Sequence, residues 1–149
     1  RPEGIFVTGG QTLLAVLRRH ADGFDTTDLA AMGLGAVVDV PTLQRAQQDV
    51  AAVVAEDPVV QYIVDVCRAT RRSPSLSLGV SPRGAIALLR TARAWAYLSG
   101  RDFITPDDVK IMAPATLSHR VRLTTESELE GTQVEAVLAA TLASVPVPR

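Results

Sequence analysis

The sequence is poor in lysine, cysteine and aromatic residues, and the shortage of lysine excludes one class of function directly. Among its 149 residues, Lys110 is the only lysine, and no glycine lies near it. A phosphate-binding loop requires a lysine within a glycine-rich turn, because that lysine must reach the β- and γ-phosphates of a nucleotide. The sequence therefore contains no complete loop of this kind, and we expect the chain alone not to hydrolyse a nucleoside triphosphate.

Cys67 is the only cysteine, so no disulfide can form within the chain. The absence of disulfides is typical of a reducing compartment, which predicts a cytoplasmic location. Aromatic residues make up 4% of the sequence, so aliphatic side chains must fill the core. Cys67 itself is interpreted as a small core residue on an apolar helical face.

Strong net charge and long apolar runs are absent as well. The formal net charge is -1 without a basic block, which argues against a dedicated nucleic-acid binder. No apolar run approaches the roughly 20 residues that a membrane span needs. The chain begins without an initiator methionine and without an apolar signal segment, so we expect a fragment or a processed piece.

Metal sites and hydrolase nucleophiles find little support in the sequence. His20 and His119 lie far apart, without cysteine or carboxylate at ligand spacing, so no metal site is predicted. The segment around Ser81 has one residue too many for a G-x-S-x-G nucleophile turn, and a helix cap explains this serine better. The acidic pair Glu56-Asp57 is interpreted as a solvated helix end rather than as the magnesium-holding end of a strand.

Helical periodicity dominates the chain and predicts an all-α fold, with at most a very short strand pair. The β-like run IFVT at residues 5–8 is short and ends at two glycines. The predicted helices of the first half carry these apolar residues: Leu13, Leu14, Leu17 and Ala21; a short helix from Asp25 to Met32; Leu43, Ala46, Val50 and Val53 after Pro41; and Val59, Val60, Ile63, Val64 and Cys67 after Pro58.

The second half contains the clearest helix, which begins at Ser81-Pro82 and ends at Gly100. Serine is a favoured N-cap, proline suits the first helical position, and glycine suits the end. A second clear helix start is Thr105, because two carboxylates follow it in the positive first turn. The apolar residues assigned to the faces of these helices, and of a last helix from about Thr132, are Ala85, Leu88, Leu89, Ala92, Trp95 and Ala96; Val109, Met112 and Ala113; and Val134, Val137, Leu138, Thr141 and Leu142. Residues 73–81 and the polar segment with Glu126, Glu128 and Glu130 are predicted loops.

Arg83 is the residue that local physics explains least well. It lies in the first turn of a helix, where a cation is disfavoured by a few tenths to about 1 kcal/mol. Free backbone N–H groups at the same terminus attract anions, and an arginine beside them can hold a phosphate with two hydrogen bonds. Arg90 lies on the same side of the helix, seven residues later. The alternative is that both arginines simply pair with nearby carboxylates.

Several segments, in order, resemble the MoxR family of AAA+ ATPases. They are RATR at 68–71, LGVSPRG at 78–84, ALLRTARA at 87–94, GRDFITPDDV at 100–109, APATLSHRV at 113–121 and VPVP at 145–148, with GFD at 23–25. The resemblance is nearly continuous from about Leu17 to the end of the chain. The segment 1–10 departs from the family pattern, and the nucleotide-binding motifs of the family have no counterpart in this sequence.

The resemblance implies a fold, a site and a function. The fold would be the helical bundle of an AAA+ lid, with residues 58–149 as the lid, 11–57 as a helical segment from the end of the AAA+ core, and 1–10 as a residual or vector-derived segment. Arg83 would be the sensor-2 arginine that contacts the γ-phosphate of ATP, and Ser81 and Pro82 would cap and aim its helix. Arg90 is a further candidate for nucleotide binding.

The family also implies roles beyond the nucleotide. ATP and Mg2+ would bind to the core of the parent protein and not to this chain alone. Copies would form a ring, typically a hexamer, with a chaperone-like role on client proteins, and a von Willebrand factor A domain protein is an expected partner. Two alternatives remain open: the lid of a related AAA+ motor of the magnesium-chelatase or MCM type, and a stand-alone helical interaction module. Arg101 and His119 would serve either lid packing or a subunit interface.

Overall fold

The computed structural model describes residues 10–25, 27–28 and 33–148, and the side chains from residue 13 onward within them. It forms two compact units, residues 1–39 and residues 40–149. The elements are α1 (Gly10–Ala21), α2 (Val40–Ala52), α3 (Asp57–Arg72), β1 (Leu76–Leu78), α4 (Pro82–Leu98), α5 (Pro106–Leu117), a 3₁₀ turn (Ser118–Arg120), β2 (Arg122–Leu123), α6 (Thr125–Leu129) and α7 (Val134–Ser144). The predicted all-α fold with a very short strand pair is confirmed.

The first unit is built on the predicted amphipathic helix α1. Its leucines Leu13, Leu14 and Leu17 are all exposed. Phe24, just beyond the helix, lies 5.6 Å from the Arg19 guanidinium, a cation–π contact. The short helix predicted between Asp25 and Met32 falls mostly outside the described residues.

The second unit has one main core, formed by α3, α4, α5 and α7 together with the segments that join them. The fully or almost fully buried members of this core include Tyr62, Val66, Val80, Leu88, Ala92, Ala96, Val109, Ala113, Leu117 and Leu138. Helices α4 and α5 lie side by side, and both carry fully buried alanines, Ala92 and Ala96 on α4 and Ala113 on α5. The core therefore fixes the start of α4 against the elements on both sides of it.

Two short strand-like contacts complete this unit. Strands β1 and β2 pair antiparallel, with Leu76 opposite Leu123. A single parallel bridge joins Val54 to Phe103, where the Ile104 N–H donates to the Val54 carbonyl oxygen at 3.0 Å. These contacts tie the connections between helices to one another.

The structure corrects several details of the sequence-based expectations. The helix expected to end at the acidic pair Glu56-Asp57 ends at Ala52 instead, because Val54 pairs with Phe103. The predicted loop 73–81 contains β1, and the predicted polar loop contains β2 and α6. The last helix begins at Val134 rather than near Thr132. Trp95 of α4, predicted to face the core, is 39% exposed. Tyr62 of α3, which was not among the predicted core residues, is buried.

No helix in the ranges that the structure describes is long and apolar enough to cross a bilayer.

Candidate functional site

The start of α4 is capped as the sequence predicts. Ser81 has extended backbone angles, and its hydroxyl oxygen accepts a hydrogen bond from the Gly84 N–H at 3.3 Å. Pro82 occupies the first helical position, where its missing N–H costs nothing. The cap therefore fixes where α4 begins, and Arg83 becomes its second residue.

The Arg83 side chain is exposed at this terminus. Within the part of the chain that the structure describes, it makes no hydrogen bond or ion pair, and the ion pairs found there involve other residues. No acidic residue occupies the first turn of α4. The alternative that Arg83 is neutralised by a nearby carboxylate finds no support among the described residues.

The residue three positions before Arg83 is held from α3. The Val80 N–H donates to the Thr70 hydroxyl oxygen at 3.0 Å, and the Val80 carbonyl oxygen accepts from the Arg71 Nε at 2.8 Å. The Thr70 hydroxyl in turn donates to the Cys67 carbonyl oxygen at 2.7 Å. Both backbone polar groups of Val80 are thus satisfied by consecutive residues at the end of α3.

Two glycines permit this close packing. A Cβ at Gly79 would lie 2.7 Å from the Arg71 Cα and backbone nitrogen, so a side chain there would collide with α3. A Cβ at Gly84 would lie 2.6 Å from the Val80 Cγ1 and 3.5 Å from the Arg120 Cδ. The stem of Arg120 therefore flanks the first turn of α4 from the other side. Its Nε donates to the Thr116 carbonyl oxygen at 3.1 Å.

Arg90 lies further along α4 and is also exposed, without a described partner. Seven residues of α-helix span about 10 Å, so its Cα lies about that far from the Cα of Arg83. The structure therefore places the two arginines on one helix but does not bring them together at a single point.

The next helix start, at α5, is arranged quite differently. The Arg101 guanidinium makes two hydrogen bonds to the Asp108 carboxylate, at 2.7 and 2.5 Å. Asp108 and Thr105 form a full capping box, as the sequence predicts for the start of this helix. Arg101 is therefore paired within this unit, at the start of α5.

The same contacts act on the acidity of Asp108. Burial alone would raise the pKa of the Asp108 carboxyl. Hydrogen bonds from the Arg101 guanidinium and from the Thr105 N–H and hydroxyl outweigh burial, and they hold the pKa below its usual value. The carboxylate is therefore stabilised in its charged form inside the fold.

His119 and Cys67 are the remaining candidates from the sequence. His119 is exposed in the 3₁₀ turn. Cys67 is buried in α3, and burial raises the pKa of its thiol, as expected for a core residue. Among the described residues, no group of three or more histidine, cysteine or acidic side chains stands close enough to hold a metal ion.

Sequence reasoning missed the contribution of Thr70, Arg71 and Arg120 to the start of α4. The available signal was that these residues lie in the RATR and APATLSHRV segments. The family resemblance covered both segments, but no role was assigned to the three residues. The hydrogen bonds of Thr70 and Arg71 to Val80 cross from the end of α3 to the segment before α4, so the periodicity within either helix cannot reveal them.

Comparisons with known proteins address the same region. The family model of the AAA lid domain matches residues 68–141, from the end of α3 into α7. The protein YeaC of Bacillus subtilis is 46% identical over 102 residues, which covers 68% of this chain and 32% of YeaC. The chaperone MoxR1 of Mycobacterium tuberculosis is 30% identical over 122 residues, covering 76% of this chain and 32% of MoxR1. The chain belongs to the C-terminal lid part of the MoxR-type AAA+ ATPases.

A solved structure supports the fold of this lid and its preceding helices. An ATPase candidate from Cytophaga hutchinsonii superposes with a TM-score of 0.73 at 24% identity, over 97% of this chain and 45% of the other. The chain spans about a third of the length of the curated relatives it matches.

Proposed function

We propose that this lid places Arg83 against the phosphates of ATP bound on an AAA+ core domain, and that it couples the nucleotide state of the core to a change of shape. The observation that carries the proposal is the exposed, unpartnered guanidinium of Arg83 at the capped start of α4. Sensor 2, the role that the family resemblance gives to this arginine, requires a cation free to meet an anion on a separate domain.

The electrostatics of the helix start support this function. A cation in the first turn faces the positive end of the helix dipole, so its position costs stability unless an anion approaches. A phosphate would satisfy the guanidinium together with the backbone N–H of Arg83, which has no described partner at this helix start. The unfavourable position of Arg83 is therefore relieved when the nucleotide is present.

Coupling follows from the difference between ATP and ADP. A contact to the γ-phosphate exists only before hydrolysis and phosphate release, so the lid would bind the ATP state of the core more tightly than the ADP state. Such a difference in affinity is what shifts the balance between two arrangements of the domains. We assign Mg2+ and the phosphate loop to the core, while this chain contributes the arginine.

The assembly and its biological role extend the same proposal. Copies of the full protein form a ring in which each lid lies beside a neighbouring subunit, and the ring acts on client proteins in a chaperone-like manner. The M. tuberculosis relative MoxR1 is named a chaperone, which supports this role. A von Willebrand factor A domain partner, a hexameric ring and a cytoplasmic location belong to this proposal. Arg90 is a second candidate for contact with the nucleotide or a neighbouring subunit.

The decisive variant is Arg83→Ala in a protein that joins this lid to a nucleotide-binding core. Removing one preorganised charge contact in a transferring-phosphoryl site typically lowers turnover by about 10²–10³-fold, and we expect a loss of that order in steady-state ATP hydrolysis. Arg122→Ala is the matched control, because Arg122 is an exposed arginine that lies in β2, outside α4. Wild-type turnover in Arg83→Ala, with Arg122→Ala equally active, would remove this function from Arg83.

A further inference from the structure

Hydrogen bonds link the end of α3 to Val80, in the short segment that leads into α4 and orients Arg83. Thr70 is fully buried, and its hydroxyl is bonded both to its own helix and to the Val80 N–H. The Arg71 Nε holds the other polar group of Val80, its carbonyl oxygen. With both groups bonded to α3, the peptide planes on either side of Val80 cannot rotate freely.

Little freedom remains between Val80 and Arg83. Only Ser81 and Pro82 intervene: the Ser81 hydroxyl is bonded to the Gly84 N–H, and the ring of Pro82 fixes its φ angle. The Val80 side chain is fully buried and lies against the Gly84 backbone. The position of the end of α3 is therefore transmitted to the backbone of Arg83 through a short, nearly rigid path.

Arg71 is the informative member of this link. Its side chain is exposed, so it adds little to the core, yet its Nε makes a bond of 2.8 Å to the segment that leads into α4. Arg72, the next residue, is equally exposed and makes no hydrogen bond or ion pair that the structure describes. Arg72 therefore shares the charge and the exposed position of Arg71 but not its hydrogen bond to Val80.

We propose that Thr70 and Arg71 are positioning residues for the nucleotide-contacting arginine: by holding both backbone groups of Val80, they fix the direction in which Arg83 leaves α4. This inference rests on the proposed function of Arg83. It adds that the end of α3, through its hydrogen bonds to Val80, sets the aim of that arginine.

Amide hydrogen exchange in the isolated chain tests the link itself, independently of any nucleotide. In Thr70→Ser the hydroxyl remains, and the Val80 amide should stay as protected as in the wild type. In Thr70→Val the acceptor is lost, and the Val80 amide should exchange at least about tenfold faster, because a protected amide becomes an unpartnered one. Equal protection of Val80 in Thr70→Val would overturn the link.

ATP turnover in a protein that joins the lid to a core tests the consequence. Arg71→Lys keeps the charge, but its amine cannot take the place of the Arg71 Nε beside the Val80 carbonyl oxygen. We expect this variant to lower kcat by about tenfold, because small misplacements at a reacting centre have effects of that size or larger. Arg72→Lys, the matched control, should stay within twofold of the wild type. The melting temperature of each variant is measured alongside, and Arg71→Lys should melt close to the wild type.

The double variant separates orientation from a merely structural role. If Arg71 acts through Arg83, adding Arg71→Lys to Arg83→Ala lowers kcat no further, whereas independent effects would multiply. A multiplied loss, or Arg71→Lys turnover equal to that of Arg72→Lys, overturns the inference. Arg83→Ala distinguishes the two proposals. Wild-type turnover in Arg83→Ala contradicts the proposed function of Arg83, whereas the results named above for Arg71→Lys contradict the positioning role.

Discussion

The starts of α4 and α5 are built from the same local parts and are completed in opposite ways. Each has a hydroxyl cap followed by proline, at Ser81-Pro82 and at Thr105-Pro106. At α5 the first turn holds two carboxylates, and Arg101 is bound by one of them, Asp108.

At α4 the first turn holds no carboxylate and one exposed arginine, Arg83. A helix start that satisfies its own charges stabilises the fold. A start left with an unpaired cation is available for an anion from outside. The difference between these two termini is the reason for assigning structure to Arg101 and function to Arg83.

The largest stability effect is expected at α5. Asp108→Ala removes the acceptor of the Arg101 ion pair and half of the capping box. Because Asp108 is buried, we expect the free energy of unfolding to fall by about 2–4 kcal/mol. Urea unfolding of the chain measures this, with the exposed Asp107→Ala as the control. A loss as small as that of the control would contradict the structural role of this terminus.

Acid should weaken the same terminus. The pKa of Asp108 is lower in the folded protein than its unfolded value of about 3.9, so the folded state favours the carboxylate. This contribution is fully present above the unfolded pKa, and it is lost as the pH falls through the folded pKa. As the pH is lowered from about 5 through the folded pKa of Asp108, we expect the free energy of unfolding to fall more in the wild type than in Asp108→Asn. Parallel curves for the two proteins would contradict this sign.

The smallest effect is expected at α4, and its sign is the reverse. Arg83→Gln removes a cation from the positive end of a helix, so the isolated chain should gain a few tenths of a kcal/mol in free energy of unfolding. Arg90→Gln, in the middle of the same helix, is the control and should change little. A clear loss of stability in Arg83→Gln would show that Arg83 has a structural partner, and the contrast between the two termini would disappear.

Sequence patterns predicted the elements whose signals are local. The caps at Ser81 and Thr105 and the start near Pro58 needed only neighbouring residues, because a hydroxyl, a proline and an apolar stripe within a few positions define a helix start. The position of a cation in the first turn of α4 drew attention to Arg83, and the family resemblance then gave it a role as a nucleotide contact, which stays a prediction.

The elements that sequence reasoning missed depend on partners far along the chain. Strand β1 is three residues long and pairs with β2 more than forty residues later, so no alternating pattern marks either one. The bridge between Val54 and Phe103 joins distant residues as well, and the hydrogen bonds of Thr70 and Arg71 to Val80 join the end of one helix to the segment before the next. Such contacts follow from how the helices pack, which a single sequence does not reveal.

The most direct measurement compares Arg83→Ala and Arg101→Ala in one protein that joins this lid to a nucleotide-binding core. ATP turnover and the free energy of unfolding are both determined for each variant. We predict that Arg83→Ala loses turnover while its stability is unchanged or slightly higher, and that Arg101→Ala is the variant that loses stability. Normal turnover in Arg83→Ala, or a stability loss there matching that of Arg101→Ala, would contradict the account.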